Sequence, residues 1–171
     1  MVRPPIENQP EYYRYYISLV EEDNGLVAMD GQIIKMQQLI GDIPLEKENY
    51  SYAPGKWTIK EVIGHITDTE RIFGYRALCI ARGETNPLPG YDDQVYVSNG
   101  NFNARSLYDL VHEFSVVRES NLIMFKSFDA EAKGRVGIAN NNQVSVSALL
   151  FMILGHEIHH LRVIRDKYLN A

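Results

Sequence analysis

The sequence is poor in cysteine: Cys79 is the single one among 171 residues. One cysteine cannot form a disulfide within the chain, which excludes the small secreted folds that depend on disulfides and favours a reducing cytosol. It also excludes a zinc site built from two or four cysteines of one chain. The soft ligands that remain for a transition metal are the five histidines.

A basic cluster and a long apolar run are also missing. The net charge is −5 and the isoelectric point is about 5.5, whereas a protein that neutralises nucleic-acid phosphates needs a positively charged face. The longest apolar run, residues 148–154, is far shorter than a membrane span of about 20 residues, and the N-terminal residues resemble no signal peptide. We therefore expect one domain over residues 1–171, located in the cytoplasm, that binds neither nucleic acid nor membrane.

Apolar residues recur at helical spacing in several long segments. The predicted helices cover residues 11–21, 24–41, 58–83, 104–128 and 145–168. Thr58 and Glu61 form the pattern of a capping box, while either Ser145 or Ser147 can begin the last helix. A short strand at 136–139 is the only strand candidate, so the pattern predicts an all-α four-helix bundle.

Two connections between the predicted helices are long. The stretch 84–102 contains several prolines, glycines and asparagines and is predicted to be a loop, which at this length is often functional. The connection that leads into the helix at 58–83 is long as well. Long connections allow the chain to cross the bundle, so a simple up-down topology is not required.

Three of the five histidines lie in the segment 156–160, HEIHH. Residues one turn apart on a helix have Cβ atoms about 5–6 Å apart, so two imidazoles at this spacing can bind one ion. Spacing alone pairs His156 with either His159 or His160. The apolar stripe of the preceding turns continues through His156 and His160, which favours that pair as inward-facing and puts His159 nearer an edge.

The helix at 58–83 offers a further ligand, His65, between the apolar residues Val62 and Ile66. Inward-facing histidines on neighbouring helices are a known way to build a metal site in a bundle. Three neutral imidazoles leave a position for water or substrate and suit zinc, nickel, copper or iron. The alternatives are that His65 is a hydrogen-bonded core residue and that the later histidines form a solvated face; His112 has no partner at ligand spacing.

The segment 156–160 also matches H-E-x-x-H, the signature of zincin metallopeptidases, with Glu157 as general base. Zincins take their third ligand downstream, and only eleven residues follow His160. Metallopeptidase is therefore kept as an alternative. If His156 faces inward, Glu157 points about 100° away, and we expect it on the surface or behind the ligands.

Three segments together resemble the DinB-like (YfiT-like) superfamily of metal-dependent enzymes: KWTIKEVIGHI at 56–66 with Asp68 and Glu70, LPGYD at 88–92, and GHEIHHL at 155–161. The resemblance implies a four-helix bundle with crossed topology that is often a homodimer. It implies a divalent ion of zinc or nickel type, held by one histidine of the second helix and two of the last, here His65, His156 and His160. Some relatives are thiol transferases that use a low-molecular-weight thiol, and others are called hydrolases.

We therefore expect a metal-dependent enzyme that activates water or a low-molecular-weight thiol for reaction with a small-molecule substrate. The alternative is a non-catalytic helical module with a structural ion. Asp68 and Asp92 are candidates to orient the ligands, and Arg76 is a candidate to hold an anionic group. Cys79 is expected to pack in the core, so a reacting thiol would have to come from outside the chain.

Overall fold

The computed structural model describes residues 1–7 and 9–169. Its helices are α1 (Glu11–Ser18), α2 (Gly25–Gly41), α3 (Ile59–Ala81), α4 (Asp93–Asn99), α5 (Leu107–Ser127), α6 (Ala130–Gly134) and α7 (Val146–Val163). The strands are β1 (Val136–Ala139) and β2 (Asn142–Ser145). Short 3₁₀ turns lie at Leu45–Lys47 and Phe102–Ala104, and α7 continues into a π-helical turn at Ile164–Leu169.

Side-chain caps decide where the long helices begin. At α3 the predicted capping box is present: Oγ1 of Thr58 accepts from the Glu61 amide at 3.1 Å, and the Glu61 carboxylate accepts from the Thr58 amide at 2.7 Å. At α7 the cap is Ser145, whose Oγ accepts from the Ala148 amide at 3.0 Å. Each cap satisfies amides that the first helical turn leaves without a partner.

The four long helices form a bundle in which consecutive helices are not always neighbours. α3 packs against α5 and α7, and α2 packs against the same two helices. Helices α2 and α3 therefore occupy opposite corners, as do α5 and α7, and the chain crosses the bundle between them. The prediction of an all-α four-helix bundle with crossed topology is confirmed.

A small hairpin and a short helix fill the connections. β1 pairs with β2 in antiparallel register, and the turn residues Asn140 and Asn141 have φ values of 49° and 60°, as a two-residue hairpin turn requires. The hairpin also holds Leu88 through a parallel bridge to Ala139. The prediction of an unbroken loop at 84–102 was wrong, because Asp92 caps α4 there by accepting from the Val95 amide.

Helix α7 lies deepest in the bundle. It is buried on all sides from Ala148 to Gly155, and the burial continues through His156 and Glu157. This explains its nearly unbroken apolar composition, since no face of the helix meets water between Ala148 and Gly155. Within the described residues, no helix combines the length and the apolar character that crossing a membrane would require.

One buried guanidinium joins the four long helices. Arg118 of α5 donates from Nε to both carboxylate oxygens of Glu70 on α3, at 2.7 and 2.9 Å, and from Nη1 to Gln32 on α2 at 2.7 Å. Its Nη2 lies 2.8 Å from Oε2 of Glu157 on α7, although neither oxygen of Glu157 has a hydrogen bond of good geometry. Burial raises the pKa of Glu157 to about 7, against the opposing effect of Arg118.

Helices α1 and α7 touch at Gly155. A Cβ at this position would lie 1.9 Å from the carbonyl oxygen of Tyr16, so no residue larger than glycine fits unless α1 moves. The close approach leaves the Tyr16 ring centroid 5.5 Å from that of His156. Gly155 therefore sets the position of an aromatic side chain beside the first histidine of the segment 156–160.

Replacing Arg118 with Met should lower the free energy of unfolding by about 3–5 kcal/mol, because Glu70 and Glu157 would remain buried without a cation. Urea denaturation followed by circular dichroism measures the change. Arg14→Met, at an exposed position of α1, is the control and should change stability by less than about 0.5 kcal/mol. Adding Glu70→Gln and Glu157→Gln to Arg118→Met should restore part of the loss, and no restoration would contradict the ionic explanation.

Gly155→Ala should lower the free energy of unfolding by about 1–3 kcal/mol, because the new methyl group forces α1 away from α7. Gly31→Ala is the matched control, since a Cβ there meets no atom within 4 Å. It should instead stabilise the protein by about 0.5–1 kcal/mol through helix propensity. Equal effects of the two substitutions in urea denaturation would rule out the close helix contact.

Candidate metal centre

The three histidines predicted as ligands lie together where α3 packs against α7. His65 comes two turns after the capping box of α3, on the face that meets α7. His156 and His160 lie one turn apart on α7, so their side chains project from the same face toward α3. The sequence pattern that singled out these residues thus corresponds to one cluster in three dimensions.

The imidazoles meet through their Nε2 atoms. The Nε2 atom of His156 lies 3.0 Å from that of His65 and 3.1 Å from that of His160. One ligand atom from each of the three residues falls within 4.8 Å of the others. Because a zinc–imidazole bond is about 2.0–2.1 Å long, nitrogen atoms at these separations can contact one ion, and the donor set fits a divalent transition metal.

Burial keeps the three imidazoles neutral. It lowers the pKa of His65 to about 4 and those of His156 and His160 well below the usual value. The neighbouring imidazoles lower the pKa of His156 and His160 further. A neutral imidazole has the free lone pair that a metal ligand needs.

Aromatic rings surround the cluster. The Trp57 ring lies 4.7 Å from His65, centroid to centroid, and the Tyr16 ring lies next to His156. His159 lies outside the cluster, as predicted, and its Nδ1 is 2.9 Å from the hydroxyl of Tyr15. These aromatic rings pack against His65 and His156, each 4% exposed, whereas His160 is half-buried.

On the remaining side the histidines face a pocket of about 270 Å³. The lining side chains are mostly aromatic or polar: Tyr12, Tyr13, Tyr16, Trp57, His65, Phe73, Arg76, Tyr91, Asp93, Asn140, His156 and His160. The pocket is large enough to hold several water molecules. It suits a small molecule and is open to solvent, which a closed structural ion site does not need.

Of the other predicted site residues, Arg76 lies in the pocket, whereas Asp68 and Asp92 interact with other groups. Arg76 lines the pocket and is buried, rather than lying in a surface ion pair. Asp68 pairs with Arg71 at 3.6 Å, and Asp92 is exposed and caps α4. Among the described residues, the carboxylates of Asp68 and Asp92 therefore have partners other than the three histidines.

Two features of the site differ from the sequence analysis. Glu157 was expected on the surface or behind the ligands, but it is completely buried on the side of α7 that faces Arg118. Asp93, on the pocket wall next to the cap of α4, was not predicted. Little in the sequence indicated Asp93, because two consecutive aspartates are as typical of a helix N-terminus as of a polar loop.

The fold and the three histidines define a helical bundle protein with a candidate metal centre between two of its helices. The DinB superfamily family model matches residues 30–164, which is most of the chain, and the protein belongs to this superfamily. The resemblance that the sequence motifs indicated is thereby confirmed.

One solved structure with the same fold is YfiT from Bacillus subtilis, described as a probable metal-dependent hydrolase with an unusual four-helix bundle topology. It superposes with a TM-score of 0.77 over 99% of this chain and 93% of its own, at 13% sequence identity. At this identity the likeness shows the fold alone. The comparison with curated proteins found no match.

Protein purified without a histidine tag and dialysed against zinc or nickel should bind about one ion per chain, measured by plasma mass spectrometry. Losing an outer partner of a metal ligand costs about 10–100-fold in affinity, so replacing the ligand His65 with Ala should cost more than that. His112→Ala, at an exposed position of α5, is the control and should bind like the parent. If His65→Ala keeps its fold and its affinity, the ligand assignment is wrong.

Proposed function

We propose that this protein is a metal-dependent enzyme that activates water or a low-molecular-weight thiol against a small-molecule substrate. One observation carries the proposal: the imidazoles of His65, His156 and His160, the first two buried and the third half-buried, converge on one point and face an open pocket. The likeness to YfiT, itself described as a probable metal-dependent hydrolase, supports the hydrolytic form.

His65, His156 and His160 would hold the ion, with zinc or nickel as the proposed metal. Three protein ligands leave coordination positions for an exchangeable group. When bound, such an ion lowers the pKa of a coordinated water or thiol and so supplies a nucleophile at neutral pH. The choice between zinc and nickel does not follow from the ligand types, since imidazole suits both.

The surrounding residues divide the remaining tasks. Trp57 packs against His65 and Tyr16 against His156, which limits the contact of these two imidazoles with water. Asp93 is the carboxylate of the pocket wall and is our candidate to accept the proton of the attacking group. Thr69 and Tyr91 share a hydroxyl–hydroxyl hydrogen bond of 2.6 Å, which fixes the ring of Tyr91 against α3.

The chain's own cysteine does not supply the thiol. Cys79 lies near the end of α3, in a separate depression with Leu78 and Arg82, and takes no part in the pocket lining. In a thiol-transfer reaction, the sulfur of a bound external thiol would attack the electrophilic carbon of the substrate, and the leaving group would depart with its electron pair. The thiol proton would pass to Asp93 or to solvent.

The metallopeptidase alternative has less support. A zincin requires the glutamate of H-E-x-x-H beside the metal-bound water, but Glu157 lies 2.8 Å from Arg118 in the bundle core. It does not line the pocket. A structural ion is also disfavoured, because the histidines face a space that solvent can enter.

Cobalt(II) substitution distinguishes a catalytic ion from a structural one. Adding cysteine or mercaptoethanol to the cobalt-loaded protein should produce a new thiolate-to-metal absorption band, because the ion has an open position. His112→Ala should behave like the parent, and His65→Ala should lose the band together with the metal. An unchanged spectrum, combined with a large fall in Tm on chelation, would instead identify a structural ion.

The two chemical forms are separated by turnover. The zinc- and nickel-loaded parent is assayed for hydrolysis of activated esters and amides, and for conjugation of cysteine to an alkyl halide. The hydrolytic form predicts acceleration of the first reaction without added thiol, whereas the transferase form predicts acceleration of the second alone. In either case His65→Ala should lose the acceleration, because the ion supplies the nucleophile.

A further inference from the structure

A second buried arginine lies in the pocket, apart from the histidines. Arg76 is 4% exposed and follows His65 by eleven residues on α3, which places the two on nearly the same helix face about 16 Å apart along the axis. Helical side chains point back toward the N-terminus, so Arg76 extends toward His65. The ring of Phe73 lies between them, 5.5 Å from the guanidinium carbon and 6.5 Å from the His156 ring.

The guanidinium of Arg76 has few partners. Its Nη2 donates to the carbonyl oxygen of Pro89 at 2.6 Å, and Nε and Nη1 make no hydrogen bond with any described residue. Over residues 1–7 and 9–169, no carboxylate oxygen lies within 4.0 Å of it. Its other close neighbours are the rings of Phe73 and Tyr91.

Among the described residues, no carboxylate therefore contacts Arg76 to balance its charge. Burial lowers the pKa of Arg76, and the phenols of Tyr13 and Tyr91 oppose this shift. Burial raises the pKa of both phenols, so they are neutral at pH 7. Arg118 is buried more completely but has two carboxylates as partners. A buried cation without a counter-ion is costly, and the pocket gives this one access to an anion from solution.

We propose that Arg76 is an anion-binding subsite of this pocket and that it takes a carboxylate of the substrate or of the thiol. This inference rests on the proposed function, since it names the class of molecule that the same pocket binds. The planar guanidinium fits the planar carboxylate with two parallel hydrogen bonds, donated along the edge formed by Nη2 with either Nε or Nη1. Nη2 gives one of its two hydrogens to Pro89, so the other hydrogen leaves one of these edges available. The ligand would then have its reactive end at the histidines and its carboxylate at Arg76.

A carboxylate fits the lining better than a phosphate does. The pocket offers one cation, Arg76, and no lysine, whereas a phosphate carries up to two charges at pH 7. The carboxylate of Asp93, which also lines the pocket, would repel a doubly charged group more strongly. Inorganic phosphate is therefore the competing ligand that the experiment must include.

The test uses cobalt-loaded protein and pairs of thiols that differ only at the far end. Mercaptopropionate, mercaptobutyrate and mercaptohexanoate are each compared with the mercaptoalcohol of the same length, and dissociation constants come from the thiolate–cobalt band. The parent should bind at least one acid about 10–100-fold more tightly than its alcohol, as expected for charge-assisted hydrogen bonds.

Arg76→Gln should abolish this preference and leave the affinity for the mercaptoalcohols unchanged, while Arg76→Lys should keep part of it. Arg82→Gln, at an exposed position near the end of the same helix, is the matched control and should keep all of it. A parent without preference, or a preference that survives in Arg76→Gln, overturns the proposal. So does an equal loss for acids and alcohols in Arg76→Gln, because Arg76 would then act by holding Pro89.

Failure of the proposed function gives a different result. If the protein binds no cobalt, the subsite is tested on the metal-free form through the fluorescence of Trp57, the single tryptophan of the chain and part of the pocket wall. Butyrate should then shift the signal at lower concentration than butanol in the parent but not in Arg76→Gln. No difference in the parent, or tighter binding of inorganic phosphate than of butyrate, overturns the carboxylate assignment.

Discussion

The contact of Arg118 with Glu70, Gln32 and Glu157 constrains the whole bundle, because it fixes the rotation of four helices about one buried point. On α7 the consequence reaches the candidate site directly. Successive helical residues differ by about 100°, so turning Glu157 toward α5 turns His156 toward α3. One rotation of α7 about its axis therefore places both Glu157 beside Arg118 and His156 in the histidine cluster. Loss of the buried ion pair would also misplace the histidines.

Much of the fold could be predicted because its signals are local. The helices follow from apolar periodicity and caps such as Thr58 and Ser145, and one strand of the hairpin was predicted at 136–139. The three histidines could be selected because helical spacing and apolar stripes depend on neighbouring residues alone. The crossed topology came from the resemblance to a family, since the long connections allowed a crossing without requiring it.

The parts that could not be predicted depend on contacts between distant segments. Arg118 has an ordinary helical neighbourhood, and only its meeting with Glu70 and Glu157 makes it a buried charge. The same holds for Asp93, which enters the pocket because Leu88 is bridged to Ala139 and so brings the start of α4 over α3. Charged residues are expected at the surface. A sequence pattern therefore does not indicate which of them are buried in an ion pair or in a pocket.

The two buried arginines differ in where their electrostatic partners are found. Arg118 meets its counter-charges within the protein, and its guanidinium has no space left for a ligand. Arg76 lies on a pocket wall, where it contacts Pro89 and the rings of Phe73 and Tyr91 but no carboxylate among the described residues, so its guanidinium is open to an anion from solution. The divalent ion proposed at the histidines would add further positive charge to the same pocket. Both ends of the pocket would then favour an anionic ligand. The length of the ligand decides whether one molecule reaches both ends.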